Sequence, residues 1–209
     1  MTLDQLAIKY GSDKSSLGHN YCPFYEQHLP KDPKRILEIG VKGGASIGMW
    51  LEYFPNAEIH GLDLFSEIAR WEVRQNIIRI NGIEIPEERM YLHKGDQRDW
   101  QILEELRKYD FDIIIDDGSH NARDQMITFF GLFNGKHYFI EDLHCNDDEF
   151  FSQGLPIDYR PSNLFNDIKT AYEGTVYRND IIFDNEAKAN SFKPDKIVCI
   201  YASQLNNPG

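Results

Sequence analysis

RILEIGVKGGASIGMWLEYFPNAEIHGLDL, Arg35 to Leu64, is the stretch that decides the fold. RILEIG is a short apolar run holding one acid and closing on a glycine. GGASIGMWLEYF then sets Ile47, Trp50, Leu51 and Phe54 at helical spacing, and AEIHGLDL is a second apolar run. Strand, helix and strand in this order form a unit that joins parallel strands. The alternation continues toward the C-terminus. IARWEVRQNIIRIN has a helical pattern and RMYLHKGD reads as a strand. WQILEELRKY is a helix, FDIIIDD a strand, ARDQMITFFGLF a helix and HYFIED a strand. SNLFNDIKTAYEG reads as one more helix. TVYRNDIIFD and DKIVCIYAS follow as two strands with a polar loop, Asn185 to Pro194, between them. The expected fold class is α/β: a seven-stranded, mostly parallel sheet covered on both faces and closed by a C-terminal antiparallel hairpin.

Toward the N-terminus, Thr2 to Tyr10 reads as a short amphipathic helix with Leu3, Leu6 and Ala7 on one face. GSDKSSLGHNYCPFYEQHLPKDPK reads as a polar loop broken by glycine, serine and proline. Its aromatics, Tyr21, Phe24 and Tyr25, imply that it folds over something. The chain is expected to form a single domain, 1–209, with an N-terminal helix and lid segment over 1–34 and a catalytic core over 35–209.

The 209 residues suffice for one sizeable core, and 41% of them are apolar or aromatic. Thirty-four acids against 22 bases give a net charge of -12, which argues against a nucleic-acid partner. Cys22, Cys145 and Cys199 are odd in number and lack C-x-x-C spacing, as expected of free thiols in a reducing, cytoplasmic compartment. Neither a spanning apolar segment nor the apolar core of a signal peptide is visible, so no membrane association is expected.

The chemistry concentrates at predicted strand ends. Glu38 lies near the end of the first strand, and Gly40, Gly43 and Gly44 open the helix after it. Glycines there let a ligand approach the backbone, beside the free N–H groups of a helix start. The pattern departs from G-x-G-x-x-G because Lys42 holds the second glycine position, and a plain tight turn is the competing reading. Asp63 ends the second strand about 20 residues on, where an acid suits a ribose hydroxyl pair. Asp96 and Gln97 follow the third strand, and Asp99 reads as a helix cap. Acids at three successive strand ends line one crevice and point to a nucleoside. The layout resembles the class I S-adenosylmethionine methyltransferase fold over roughly residues 35 to 202, with Glu38 and Gly40 matching the E-x-G-x-x-x-G form of its first motif.

FDIIIDDGSH, Phe111 to His120, ends in Asp116 and Asp117; HYFIEDLHC, His137 to Cys145, carries Glu141 and Asp142. Neighbouring residues on a strand face opposite sides, so not all four acids converge unless the backbone has turned. Converging carboxylates need positive charge between them, and neither segment contains a lysine or arginine. Mg²⁺ is the simplest such charge. A metal-bound hydroxyl loses its proton readily, and His120 is placed to take it. The competing readings are a helix cap by Ser119 or Asn121 and an ion pair to a distant arginine.

IIDDGSH with IEDLH about 20 residues later, together with KYGSDKSSLGHNYCPFYEQHL, resembles the Mg²⁺-dependent sugar O-methyltransferases of natural-product biosynthesis. That resemblance implies Asp117, Glu141 and Asp142 as metal ligands and His120 as general base. It implies Asp63 at the ribose, Asp96 and Gln97 by the adenine, Glu38 and Gly40 near the methionine part, and Asp116 on the cofactor side or structural. Lys14, His19, Tyr21, Tyr25 and Glu26 are lid candidates, with packing the competing role for the aromatics. Tyr21, Tyr25 and His144 are candidate substrate contacts, and His60 a packing residue. The implied cofactors are S-adenosylmethionine and Mg²⁺, the acceptor is a rhamnose-like glycoside or glycan, and a homo-oligomer is implied from the family alone. Larger members carry a further N-terminal domain. Acceptor specificity is therefore expected from the N-terminal loop, the segment after His144 or a neighbouring subunit, or the chain is one domain of a longer polypeptide. A catechol-type O-methyltransferase and a non-catalytic nucleoside-binding module are the alternatives. A dehydrogenase is disfavoured by Lys42 and the final hairpin.

Overall fold

The apolar run after Lys34 forms β1 (Arg35–Ile39), and the glycine turn after it opens α3 (Ala45–Tyr53). In this computed structural model, residues 1–82, 85–143, 145, 150, 154, 156, 174–180 and 196–202 are described. Ahead of β1 lie α1 (Leu3–Tyr10) and α2 (Cys22–His28). After α3 come β2 (Glu58–Asp63), α4 (Arg70–Asn81), β3 (Met90–Lys94), α5 (Trp100–Arg107), β4 (Ile113–Asp116), α6 (Ala122–Leu132) and β5 (His137–Ile140). Strands β6 (Gly174–Asp180) and β7 (Lys196–Ala202) complete the sheet. The helix expected over SNLFNDIKTAYEG lies outside the described residues.

Local chemistry explains the element ends. Thr2 and Gln5 form a reciprocal capping box at the start of α1, and Gly11 closes that helix in the left-handed region. Asp99 caps α5 through Gln101 N, as its sequence implied. The cap expected at α6 differs. Asn121 holds the N-cap position without a side-chain cap bond, because Ser119 Oγ and Asn121 Nδ2 both turn to Asp124 Oδ2. Helix α2 replaces part of the expected polar loop. Pro23 sits in its first turn, where a missing N–H costs nothing, so a residue read as a breaker is a helix start.

The sheet order is β3-β2-β1-β4-β5-β7-β6. The first five of these strands are parallel neighbours, and β7 enters antiparallel between β5 and β6. Alternation along each strand divides the core. Ile36, Ile113, Ile115 and Phe139 pack on one face with α1, α2, Trp50 and Val73. Leu37, Ile39, Ile114, Tyr138 and Ile140 pack on the other with Leu103 and Phe129. The chain runs outward from β1 to β2 and β3 on one side, and resumes at β4 on the other. The loops after β1 and β4 therefore part from each other and leave a crevice at the carboxyl edge.

Candidate functional site

Strand alternation separates the acids into two sets. Glu38, Asp117 and Glu141 fall on the face packed by α1 and α2, while Asp116 points to the α5–α6 face. The register carries this directly: Asp117 N donates to Ile39 O at 2.9 Å, and Glu141 N to Asp116 O at 3.0 Å. The three acids of the first face surround Lys14. Its Nζ lies 2.5 Å from Asp117 Oδ2, 2.9 Å from Glu141 Oε2 and 3.5 Å from Glu38 Oε1. Tyr25 OH donates to Glu141 Oε1, and Tyr21 OH donates to Asp142 Oδ1 at 2.7 Å. Ser46 Oγ donates to Glu38 Oε2 at 2.8 Å.

Burial sets the electrostatics. It pushes the Glu38 carboxyl up to about 7, against the pull of Lys14. Glu141 and Asp117 are raised for the same reason. Burial alone would lower Lys14, but Asp117, Glu141 and Glu38 hold its ammonium well above the usual range. One ammonium among four carboxylates, counting Asp142, leaves the cluster short of positive charge.

At the cluster's outer side, Asp117, His120 and Asp142 each offer one ligand atom, all within 4.8 Å of one another. His120 Nε2 lies 3.6 Å from Asp142 Oδ2, and His120 Nδ1 is buried without a hydrogen-bond partner among the described residues. His120 (φ 58°) and Asp142 (φ 55°) both hold left-handed backbone, as do Lys42 after β1 and Phe65 after β2. Such strain in non-glycine residues, repeated at one sheet edge, marks a site the surrounding structure holds in place. Two carboxylates and an imidazole suit a divalent ion, and oxygen-rich surroundings suit a hard one. The residues therefore fit the metal implied by the sequence. Glu141 lies deeper than expected of a ligand, 1% exposed, with both oxygens bonded to Tyr25 and Lys14.

The loop that carries Asp117 and His120 also lines a cavity of about 280 Å³. Its walls include Gly40, Asp63, Asp96, Gln97, Gly118 and Ser119. Gly40 has φ 88°, and a Cβ there would meet the Asp117 carbonyl oxygen at 2.0 Å, so only glycine fits. Asp63 holds the first turn: Oδ2 accepts from Val41 N and Lys42 N, and Oδ1 from Phe65 N. Asp96 is paired with Arg98 at 2.6 Å, which lowers its carboxyl. The Gln97 amide is committed to protein, accepting from Ser119 N and donating to Thr128 Oγ1.

Four of the candidate site residues are fully buried and do not line the cavity. Glu38 is fully buried in the Lys14 cluster and does not line the cavity. Asp116 is fully buried beside Tyr138 and Gln97, its carboxyl pushed by burial to about 6. Tyr21 and Tyr25 are fully buried and reach acids through their hydroxyls, so they position the site from within. His144 lies outside the described residues. Ser119 and Asp124 also line the cavity; in sequence Ser119 reads only as a helix-cap candidate. Asp124 Oδ1 is buried with no partner among the described residues, yet Asp124 reads in sequence as an ordinary first-turn acid. His60 is a packing residue, fully buried among Tyr91, Tyr109 and Phe111.

A parallel sheet in this order, reversed at β1 and β4 and closed by an antiparallel hairpin, is the class I methyltransferase fold. MycE methyltransferase from the mycinamycin biosynthetic pathway, solved with Mg and SAH, matches it at a TM-score of 0.72 and 24% identity, covering 100% of this chain and 56% of that one. TomG of Streptomyces achromogenes, solved with SAM, matches at 0.61 and 12% identity, covering 97% and 90%. No protein-family model matches. Among curated proteins, the chain is 36% identical over 157 residues to the 8-demethyl-8-(2-methoxy-alpha-L-rhamnosyl)-tetracenomycin-C 3'-O-methyltransferase of Streptomyces olivaceus. It is 33% identical over 157 residues to the mycinamicin VI 2''-O-methyltransferase of Micromonospora griseorubida. Each alignment covers 68% of this chain and 36% of the relative, so the match spans about a third of those proteins. Over that span the chain is similar to sugar O-methyltransferases. Among the described residues, no helix is long and apolar enough to cross a membrane.

Proposed function

We propose that this chain is the catalytic domain, with its N-terminal segment, of an S-adenosylmethionine- and Mg²⁺-dependent O-methyltransferase acting on a glycoside hydroxyl. The observation that carries this reading is the shared loop: Asp117 and His120 stand in the acidic cluster while Gly118 and Ser119, between them, line the cavity. A cofactor in the cavity and a cation beside it would meet at one edge. Gly40, Asp63 and Asp96 would border the cofactor, with Gln97 and Asp116 supporting the wall and Glu38 serving the metal side.

Asp117 and Asp142 would hold the ion, with Glu141 as the third protein group and the His120 imidazole beside it left unligated. When bound, the ion supplies a Lewis acid that eases loss of the acceptor's hydroxyl proton. His120 Nε2 would receive that proton as the hydroxyl attacks the cofactor's methyl group. The methyl group is already activated by the sulfonium, so the protein's task is orientation and deprotonation. The rhamnosyl and mycinamicin relatives support a glycoside as acceptor.

The test is calorimetric titration with S-adenosylmethionine and S-adenosylhomocysteine, with Mg²⁺ and with EDTA, followed by methyl transfer to L-rhamnosides and to catechol. Cofactor binding with metal-dependent methylation of a glycoside is expected. Methylation of catechol alone would replace the acceptor class, and failure to bind either nucleoside would overturn the reading.

A further inference from the structure

Each acid of the proposed metal cluster is bonded by a residue from the segment between α1 and the end of α2. Lys14 takes Asp117 and Glu141, Tyr25 takes Glu141, and Tyr21 takes Asp142. The segment is built to present Lys14. The Lys14 carbonyl accepts from Tyr21 N at 3.0 Å, Cys22 N at 3.2 Å and Cys22 Sγ at 3.2 Å, and His19 N closes the loop onto Asp13 O at 2.6 Å. The Lys14 side chain is 1% exposed. A lysine is rarely buried so fully without a defined set of partners.

Asp117 belongs to both arrangements, Oδ2 bonded to Lys14 while the carboxylate also faces His120 and Asp142. Glu141 has both oxygens occupied by the N-terminal segment. We propose that Lys14 is an internal counter-ion which competes with the divalent cation for Asp117 and Glu141, and so sets how tightly the site holds metal. The proposal rests on the metal reading above. Without metal, the ammonium keeps the buried carboxylates from repelling one another. With metal, two cations share Asp117, and their repulsion weakens the ion's hold. Lys14 is thus a positioning residue that sets the cluster's charge before the ion arrives.

The experiment is Mn²⁺ and Mg²⁺ titration of the full chain and of Lys14→Met, without cofactor, alongside thermal melting with and without the ion. The variant is expected to melt lower without metal, to regain more on adding it than the wild type does, and to bind Mn²⁺ at least tenfold more tightly. Unchanged or weaker Mn²⁺ binding in the variant, with wild-type binding intact, would overturn the role of Lys14 alone. If neither protein binds the ion, the metal reading falls and the proposal with it. Amide hydrogen exchange on the wild type serves if the variant does not fold. Added Mg²⁺ is expected to speed exchange over residues 12–25, as the ion draws Asp117 and Glu141 from the segment; slowed or unchanged exchange there would overturn the proposal.

Discussion

Gly40→Ala tests whether β1 and β4 meet as tightly as the site requires. The Gly40 backbone has φ 88°, and an alanine held in a left-handed conformation costs about 1–2 kcal/mol. The new Cβ would also lie 2.0 Å from the Asp117 carbonyl oxygen and 2.7 Å from its carbon. An ordinary carbon–oxygen contact is about 3.3 Å or more, so the strands must part by more than an ångström at this level. That movement pulls on the bond from Asp117 N to Ile39 O, 2.9 Å long, and overpacking of this kind costs about 1–3 kcal/mol more. The expected loss is about 2–5 kcal/mol, a large share of the stability of one domain. Gly11→Ala is the control: φ is 72°, but a Cβ there meets nothing within 4 Å. Urea midpoints give the stabilities, and Mn²⁺ titration reports whether Asp117 has moved. Gly40→Ala should lose clearly more stability than Gly11→Ala and bind Mn²⁺ at least tenfold more weakly. Equal losses in the two variants, with metal binding intact, would refute the argued contact.

Asp63→Asn places an amide NH₂ where a carboxylate oxygen accepts from the first turn or from Phe65, and should weaken S-adenosylmethionine binding about tenfold by calorimetry, as one lost charge-assisted bond predicts; unaltered affinity would show that the turn does not need Asp63. His120→Ala should cut turnover by about 10²–10⁴, the range for a general base, while leaving the cofactor's dissociation constant unchanged. Wild-type turnover in that variant would remove His120 from the mechanism. Burial, with His93 nearby, lowers His60 to about 4, below the 6.5 of an unfolded chain. The unfolded state then binds more protons between those values. The stabilisation from neutral His60 is present above about pH 6.5 and is lost as pH falls toward 4, by up to about 3 kcal/mol. Glu58, Arg35 and His93 face the same ring, so the comparison is the urea midpoint of wild type and His60→Phe between pH 7.5 and 5. A shallower acid loss in the variant is expected, and identical slopes would exclude His60 as the cause.

The sheet was legible because strand and helix periods alternate from Arg35 onward, and because two strands joined without a helix point to an antiparallel hairpin, as β6 and β7 form. Helix α2 was not legible, since Pro23 reads as a breaker until one knows it occupies a first turn. The split of Asp116 from Asp117 followed from period-two alternation. What alternation alone left open was which acid faced the N-terminal segment, because that depends on where α1 and α2 dock. The cavity residues Gly40, Asp63, Asp96 and Gln97 were legible as strand ends. The fixed role of Asp63 was not, because backbone amides rather than a ligand occupy its oxygens.

The same limit governs the cluster's charge. Neither FDIIIDDGSH nor HYFIEDLHC contains a lysine or arginine, which in sequence calls for an outside cation. Space supplies one: Lys14 reaches Asp117 across 103 residues and Glu141 across 127. A contact of that span leaves no local trace, since nothing in GSDKSSLGHN distinguishes a buried lysine from a solvated one. One ammonium cannot balance Glu38, Asp117, Glu141 and Asp142, and burial raises Glu38, Asp117 and Glu141 against its pull. Three of those acids touch the lysine, whereas Asp142 faces His120 and Tyr21. The uncompensated charge therefore lies toward Asp142, on the side where Asp117 and His120 complete the candidate metal triad.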